Sequence, residues 1–497
     1  MKIGSEMLYF VQSNRLEKLF DRLCHVLADS PDDPLQPQEI VVQNPGMARW
    51  ISQQKALRNG IAANLSFPLP ARFIWQIFAS QLELRNDAGV FEREVLLWRI
   101  FEQLAGSLPG GMFAEIQTYL RDDHDGRKTF NLAGRIADLF DQYLVYRPDM
   151  LLEWESKQGA EWQALLWNRL LTPASEHRAH YLQRFRQKVL QDDLNPLSLP
   201  RQLYLFGISS LAPVYLEVIH GVSKVTDLYL FHLSPCREYW ADLSSDREMA
   251  RKRAGSSGRK IRREEEYYFT GNPLLASQGK VGREFVSGIC NLEMIEEEHY
   301  DDPAGRSMLA ALQRDILDLA DHSDPAAEKI MAEEGDRSVQ FHSCHSRMRE
   351  VQVLHDRLLE MFEDDPELKP GDILVMAPSM EEYASAIRSV FDGAEGNTFI
   401  PWALADRSFR GEEPLVDSFL SLFELCSGRC SAPDVISFLE NAAVLRRFKI
   451  DEEGLATIRS WIRESGIRWG LDREHRREFV ADVNEAHSWS FGMNRLL

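Results

Sequence analysis

The sequence has few cysteines and no long apolar segment. Six cysteines are spread over 497 residues, which is typical of a protein in a reducing cytoplasm and not of a disulfide scaffold. There is no run of about 18 apolar residues, so no transmembrane helix is predicted. The short polar start at 1–7 has no signal-peptide core. These absences predict a cytoplasmic protein with no membrane partner.

Positive charge is also scarce. The sequence has 57 lysines and arginines against 77 aspartates and glutamates, for a net charge of −20. A protein that coats DNA by electrostatic attraction has the opposite balance, so a DNA-binding role would need a local basic channel. The basic loop at 244–263 has eight basic and two acidic residues. We interpret it as exposed chain, and the alternative is a nucleic-acid contact arm.

The sequence lacks the glycine-rich motif with which ATPases hold phosphate. The first predicted strand is followed by 12–16, QSNRL, which has neither glycine nor a Lys-Ser/Thr pair. Gly279-Lys280 is followed by Val281, and no carboxylate for magnesium follows the predicted strand at 202–207. We therefore expect no ATP hydrolysis. An active helicase or nuclease with an unrecognised site is the alternative.

No complete catalytic or metal-binding set is evident in the sequence. Glu367 and Lys369 have the spacing of half a nuclease motif, but they lie between two prolines, where a turn is expected. His342, Cys344 and His345 lie close together, yet a zinc site needs a fourth ligand. We therefore predict no catalytic residue, no metal and no cofactor.

Four short apolar segments predict the strands of a parallel sheet. They are 8–11, 39–42, 202–207 and 226–231. The first two are each followed by a turn and an amphipathic helix, and such units in series are typical of an α/β fold. Helical periodicity dominates 73–195, which predicts a large helical insertion in this domain.

A second unit of the same kind is predicted after the polar stretch at 321–336. The segments 338–342 and 371–376 are predicted strands, each followed by a helix, and the rest of the chain is mostly helical. We therefore predict two domains, at 1–330 and 337–497, the second of them incomplete.

Two features of the helical segment could contact a nucleic-acid base. Asp138 and Asp141 share one face of a predicted helix, so they could accept hydrogen bonds from cytosine amino groups. A solvated acidic stripe has the same spacing. Trp75 lies beside the Phe-Pro-Leu-Pro run at 67–70, and it could stack on a base or lie in the core.

Several longer strings occur along the whole chain. They are QSNRL at 12–16, VQNPGMARW at 42–50, GIAANLSFPLP at 60–70, ADLFDQYLVYRPD at 137–149, FGIS at 206–209, NPLLAS at 272–277, FHSCHS at 341–346 and SGIRWG at 465–470. Together they resemble the N-terminal portion of the RecC family, the gamma subunits of RecBCD helicase-nucleases (exodeoxyribonuclease V).

The resemblance implies a degenerate superfamily 1 helicase fold, in which a RecA-like domain with large helical insertions is followed by part of a second RecA-like domain. It also implies a non-catalytic, DNA-binding subunit with RecB and RecD as partners. Such a subunit guides the 3′-ended strand of forked DNA and recognises a Chi-type signal during double-strand break repair by homologous recombination. A structural scaffold for RecB without base contacts is the alternative.

The resemblance further implies which residues line the passage for single-stranded DNA. They are Gln43, Pro45, Arg49, Leu69, Trp75, Asp138, Leu139, Asp141, Arg147 and Arg178. Pro45 and Arg49 depart from the family pattern, which has threonine and glutamine at these places. Because proline lacks a donor and arginine changes the base preference, we expect an altered signal.

Overall fold

The computed structural model describes residues 7–29, 37–82, 84, 86–106, 111–157, 161–172, 176–245, 247–248, 250, 271–322, 331, 333–404, 414–481 and 484–497. The chain divides into two compact units, Met1–Val339 and Gln340–Leu497. We refer to them as the first unit and the second unit.

The described residues of the first unit form a six-stranded parallel sheet. The strands are β1 (Leu8–Ser13), β2 (Gln38–Val42), β3 (Leu65–Ser66), β4 (Gln202–Phe206), β5 (Asp227–Leu233) and β6 (Ile295–Glu298). Their order across the sheet is β3-β2-β4-β5-β1-β6, and each neighbouring pair is parallel. The α/β class and the four predicted strands are confirmed.

The two edge strands were missed by the sequence pattern. β3 contains only two residues and β6 reads Ile-Glu-Glu-Glu, so neither has the apolar run that marks a buried strand. Acidic side chains suit a sheet edge, where they oppose pairing with other chains. Arg22 donates two hydrogen bonds to Glu297, at 2.6 and 2.8 Å, which fastens β6 to the helix after β1.

Helices cover both faces of the sheet. In β1, Leu8 and Phe10 belong to one core and Val11 to the other, because successive side chains of a strand point to opposite faces. A parallel sheet buried on both faces is the usual arrangement in α/β proteins. The helices of the first unit are α1 (Leu16–Asp29), α2 (Pro45–Asn59), α3 (Pro70–Gln81), α4 (Arg93–Ala105), α5 (Ala114–Leu120), α6 (Arg127–Tyr146), α7 (Pro148–Lys157), α8 (Trp162–Leu170), α9 (Arg178–Leu190), α10 (Pro213–Ser223), α11 (Pro273–Gln278), α12 (Lys280–Ile289) and α13 (Met308–Leu317).

The segment between β3 and β4 is helical, as predicted, and it contributes to two cores. Phe78 of α3 and Phe185 of α9 pack together against the sheet, with 5.8 Å between ring centroids. Helices α4 to α8 surround a separate core that contains Trp167 and Phe140. The ends of the helical insertion therefore belong to the sheet, and its middle forms a core of its own.

The described residues of the second unit contain helices and no strands. The two strands predicted at 338–342 and 371–376 do not form, and part of the latter lies in a short 3-10 helix, Pro370–Asp372. Phe341 is 93% exposed and Leu374 is 79% exposed. An isolated segment cannot form a strand without a hydrogen-bonded neighbour, and the described residues of this unit provide none. Its assignment as part of a second helicase-like domain remains a prediction.

Short helices pack in two small cores of the second unit. One core includes Val351, Leu358 and Phe391, and the other includes Ile462 and Ile467. The helices are α14 (Arg347–Asp364), α15 (Met380–Phe391), α16 (Pro414–Ser427), α17 (Ala432–Leu439), α18 (Ala442–Phe448), α19 (Glu452–Ser465), α20 (Arg473–Arg477) and α21 (Trp489–Leu496).

Several sequence features have no functional arrangement in the part of the chain that is described. The six cysteines are free, and His342 and His345 are exposed and belong to no group of metal ligands. None of the described helices has the length and apolarity to cross a membrane. Most of the basic loop at 244–263 lies outside the described residues.

Candidate nucleic-acid interface

Three loops meet at the carboxyl edge of the sheet, where ligands of parallel sheets commonly bind. Gln43 follows β2, Leu69 comes after β3, and Ser209 comes after β4. The Gln43 Oε1 atom accepts hydrogen bonds from the Ser209 backbone N–H at 3.2 Å and from Ser209 Oγ at 3.0 Å. The Val42 N–H donates to the Pro68 carbonyl at 3.2 Å. These bonds tie the three loops together.

The bond to Ser209 decides which end of the Gln43 amide faces away from the protein. A backbone N–H can only donate, so the amide atom opposite it must be the oxygen. The Nε2 group therefore points away from Ser209, on an exposed side chain. A donor in this position matches the acceptor atoms on base edges, such as N7 and O6 of guanine.

Helix α2 begins beside Gln43, and its first turn explains why Pro45 is tolerated. The Asn44 Oδ1 atom caps the helix by accepting a hydrogen bond from the Met47 N–H at 2.9 Å. Pro45 takes the first helical position, where an N–H would lack an intrahelical partner in any case. Arg49 lies one turn further on and is exposed, so it shares a helix face with Pro45.

Trp75 lies on α3, the helix that starts directly after Leu69. Its indole is half-buried and packs edge-on against Tyr181, with 5.6 Å between ring centroids. Part of the indole lines a small cavity together with Arg178 of α9 and Tyr215 of α10. Trp75 is therefore neither a core tryptophan nor a free one, and one side of it faces the cavity.

Arg178, which lines this cavity, forms an ion pair with Asp141 of α6. Arg178 donates from Nη1 to Asp141 Oδ1 over 3.3 Å, and both side chains are about one-third exposed, at 32% and 35%. An ion pair this accessible contributes only about 0–1 kcal/mol to stability. Tyr215 stands beside both charges, and its pKa is raised chiefly by its burial. The pair can therefore exchange partners with a ligand at little cost.

The remaining predicted residues lie on α6, before Asp141, or at its end. Asp138 pairs with Arg93 of α4, with 2.5 Å between the Oδ1 and Nε atoms, so the two aspartates do not form a bare acidic stripe. Leu139 is partly buried, and Arg147 is exposed at the end of the helix. The structure thus brings together one group at the cavity and another at the sheet edge. The cavity group is Trp75 and Arg178, with Asp141 paired to Arg178, and the edge group is Gln43, Pro45, Arg49 and Leu69.

Comparison with known proteins places this architecture in one family. The family model described as RecC, N-terminal domain, matches residues 8–319. The chain belongs to the RecC family. A second model, described as the RecBCD enzyme subunit RecC fourth domain, matches residues 412–497. This agrees with the family resemblance of the sequence.

Curated RecC proteins are similar to the chain over nearly its whole length. It is 36% identical to the RecBCD enzyme subunit RecC of Escherichia coli K12, 32% to that of Haemophilus influenzae and 30% to that of Mycolicibacterium smegmatis, each over 99% of this chain. The alignments cover 47%, 48% and 45% of those proteins. The chain therefore spans about half the length of the curated RecC relatives.

A cluster of ionisable side chains around His177, the residue before Arg178, was not predicted from the sequence. Glu155 of α7 lies 2.6 Å from His177, between Oε1 and Nε2, and 3.0 Å from His180, between Oε2 and Nε2. The Trp167 Nε1–H donates to Glu155 Oε1 at 2.9 Å. The signal in the sequence is a His-x-x-His spacing at the start of α9, which places both rings on the same side of the helix.

Within the described residues, Glu155, His177 and His180 are the group that could hold a metal ion, with ligand atoms within 4.8 Å of one another. The hydrogen bonding favours a metal-free arrangement. The His177 backbone N–H faces the Nδ1 atom of the His180 ring at 3.5 Å. The His180 Nδ1 atom is therefore the acceptor, and the proton of this ring is on Nε2, directed at Glu155. A metal on Nε2 would move that proton to Nδ1, against the backbone N–H. We therefore interpret this Glu155–histidine cluster as a hydrogen-bonded unit.

The Glu155 carboxyl of this cluster is ionised at neutral pH. Burial raises the pKa of Glu155, but the hydrogen bonds from His177, His180 and Trp167 outweigh it and lower the pKa to about 2. Burial also lowers the pKa of His177, which the neighbouring Glu155 partly opposes. The ionised carboxylate therefore accepts hydrogen bonds from a neutral His177.

We expect acid to destabilise the first unit through this cluster. The Glu155 carboxyl has an ordinary pKa of 4.5 and a folded pKa of about 2, so its contribution is complete above pH 4.5 and is lost as the pH falls toward 2. The lowered pKa of His177 adds a loss that begins below its ordinary value of 6.5. Thermal melts at stepped pH should show a falling midpoint below pH 6.5. Glu155→Gln should flatten the decline below pH 4.5, and identical profiles for both proteins would contradict this.

Proposed function

We propose that this chain is the DNA-reading part of a RecC subunit. In a cytoplasmic RecBCD helicase-nuclease with RecB and RecD as partners, it guides the 3′-ended single strand of forked DNA. It also recognises a Chi-type signal during double-strand break repair by homologous recombination. The observation that carries the proposal is that Trp75 and Arg178 line one cavity and that Asp141 is paired with Arg178, because these three residues come from three separate helices.

The chemistry of Trp75, Asp141 and Gln43 supports base reading over phosphate binding. Trp75 offers a face for stacking, Asp141 accepts hydrogen bonds, and Gln43 at the sheet edge donates them. Base edges are read by such mixed donors and acceptors, whereas an all-basic lining holds phosphates without regard to sequence. The net charge of −20 also opposes indiscriminate binding to the DNA backbone.

The connection between β1 and α1 supports a non-catalytic role. In phosphate-loop ATPases the corresponding loop is rich in glycine, and its backbone amides hold phosphate. Here Ser13 Oγ donates to the His299 carbonyl at 2.7 Å, and Asn14 Nδ2 donates to the Asp301 carbonyl at 2.8 Å. The loop is thus bonded to the segment after β6, in the place where a nucleotide would need it open.

Replacing Asp141 with alanine should weaken signal recognition and leave unwinding intact. Each lost base contact costs about 1–3 kcal/mol of discrimination, which is roughly a 5- to 150-fold loss in the response to the signal. Unwinding is driven by ATP hydrolysis elsewhere in the complex, so its rate should not change. The measurement is cleavage at the cognate signal by the complex reconstituted from full-length subunits, with the unwinding rate recorded in parallel.

Asp193→Ala is the matched control. Asp193 is also an aspartate with a cationic partner, Lys188, at 2.9 Å, but this partner does not line the cavity. It should leave both activities unchanged. An unchanged response in Asp141→Ala, or an equal loss in Asp193→Ala, would count against the proposal.

A further inference from the structure

The Glu155–histidine cluster includes His177, the residue directly before Arg178, and Arg178 lines the cavity beside Trp75. We propose that Glu155 and His177 are positioning residues for Arg178. They fix the first turn of α9, so that the guanidinium group faces the cavity beside Trp75. This inference rests on the proposed function, because it assigns a role within the same strand passage.

The first step is the burial of His177, the residue that precedes α9. Its side chain has no exposed surface, and its ring lies against Phe91 and Trp167, with 5.1 and 5.2 Å between ring centroids. Both aromatic residues belong to the core of α4 to α8. Packing of His177 against that core therefore fixes the position of the first turn of α9.

The second step is the bridge that Glu155 makes to the same turn. Its carboxylate binds His177 and His180 at the first turn of α9, and it also binds Trp167 of α8. A negative charge beside the N-terminus of a helix is favoured by the helix dipole. Glu155 of α7 thus holds α8 and α9 at fixed positions.

The third step is the position of Arg178 in the chain. It directly follows His177, which caps α9 in an extended conformation, and Arg178 is the first residue of the helix. When the His177 ring is held in the core, Arg178 is directed sideways, toward Asp141 on α6. The long arginine side chain has many rotamers, and its exposed ion pair is too weak to select one of them. The backbone position set by His177 therefore decides where the guanidinium lies.

The test is a double-mutant cycle in the complex reconstituted from full-length subunits. Arg178→Ala should lower the response to the signal roughly 5- to 150-fold. His177→Leu, which fills the space but donates no hydrogen bond, should give a loss of similar size at an unchanged unwinding rate. The double variant should be no worse than Arg178→Ala alone, because both changes remove the same contact. Additive losses would overturn the proposal.

Conservative variants separate positioning from simple folding. His177→Gln keeps an N–H donor near the Nε2 position, so it should recover most of the response that His177→Leu loses. Glu155→Gln keeps one acceptor and should lose part of the response. If His177→Leu does not fold, His177→Gln and Glu155→Gln provide the test. Glu176→Gln is the control, because Glu176 also precedes α9 but pairs with Arg184 of that helix, at 3.3 Å. A loss in this control equal to that of Glu155→Gln would overturn the assignment.

Two further outcomes separate a failure of the proposed function from a failure of the positioning role. If Arg178→Ala leaves the response unchanged, the base-reading role of this residue fails, and the proposed function fails at this position. If Arg178→Ala lowers the response but folded His177→Leu does not, only the positioning role fails. Titration of the full-length subunit with Zn²⁺ covers the metal alternative. Stoichiometric binding that is lost in His180→Ala would overturn the hydrogen-bonded cluster.

Discussion

Trp167→Ala should lower the free energy of unfolding of the first unit by about 3–5 kcal/mol. The side chain has no exposed surface, and its ring packs against Phe91 and Phe140, with 5.4 and 5.3 Å between centroids. The alanine would leave a large cavity in the core of α4 to α8. It would also remove one of the three N–H donors to Glu155. Urea unfolding followed by circular dichroism measures the loss.

Trp98→Ala provides the comparison for this prediction. Trp98 lies on α4 of the same helical segment, but 61% of it is exposed. Substitutions at exposed positions usually change stability by about 0.5 kcal/mol or less. We therefore expect a much smaller effect than that of Trp167→Ala. Equal losses in the two variants would show that the core of this segment is not organised around Trp167.

Trp75→Leu should lower the response to the recognition signal roughly 5- to 150-fold in the reconstituted complex. Base stacking on an aromatic side chain contributes about 1–3 kcal/mol. Leucine preserves the apolar packing against Phe78 and Tyr181 but lacks the flat face of the indole. Since no charge is removed, the dependence of DNA binding on salt should keep its slope. The measurements are cleavage at the signal and single-strand binding at several salt concentrations.

Two variants decide how this result is interpreted. Trp75→Phe retains an aromatic face and should keep part of the response. Trp98→Leu removes an exposed aromatic side chain from outside the cavity and should have no effect. A normal response in Trp75→Leu, or a changed salt slope, would argue that Trp75 does not stack on the strand.

The fold could be predicted where the apolar pattern was strong. β1, β2, β4 and β5 each contain an apolar run long enough to mark a strand, and all four were predicted. The edge strand at Ile295–Glu298 has no such run. The strand predicted at 371–376 has the apolar pattern but no neighbour for pairing in the described part of its unit. A local pattern records what could be buried and not what it pairs with.

The candidate site could be predicted only in part, and for a related reason. Family resemblance supplied Trp75 and Arg178, which line one cavity, and Asp141, which pairs with Arg178. It did not supply Glu155 or His177, although His177 directly precedes Arg178. The sequence does not show whether a histidine is solvated or fully buried, because its burial depends on the packing of helices that are distant in the chain. The hydrogen bonds of such a cluster become visible in three dimensions.

The bonds of Ser13 and Asn14 have an evolutionary consequence. They fasten the end of the first strand to residues near the edge strand, which are nearly 290 positions away in the chain. Any change that rebuilt a glycine-rich loop here would remove these side chains and release that edge. Such a change would lower the stability of the sheet unless other contacts replaced these bonds. Sequence change at Ser13 and Asn14 is therefore constrained by the stability of the sheet edge that they hold.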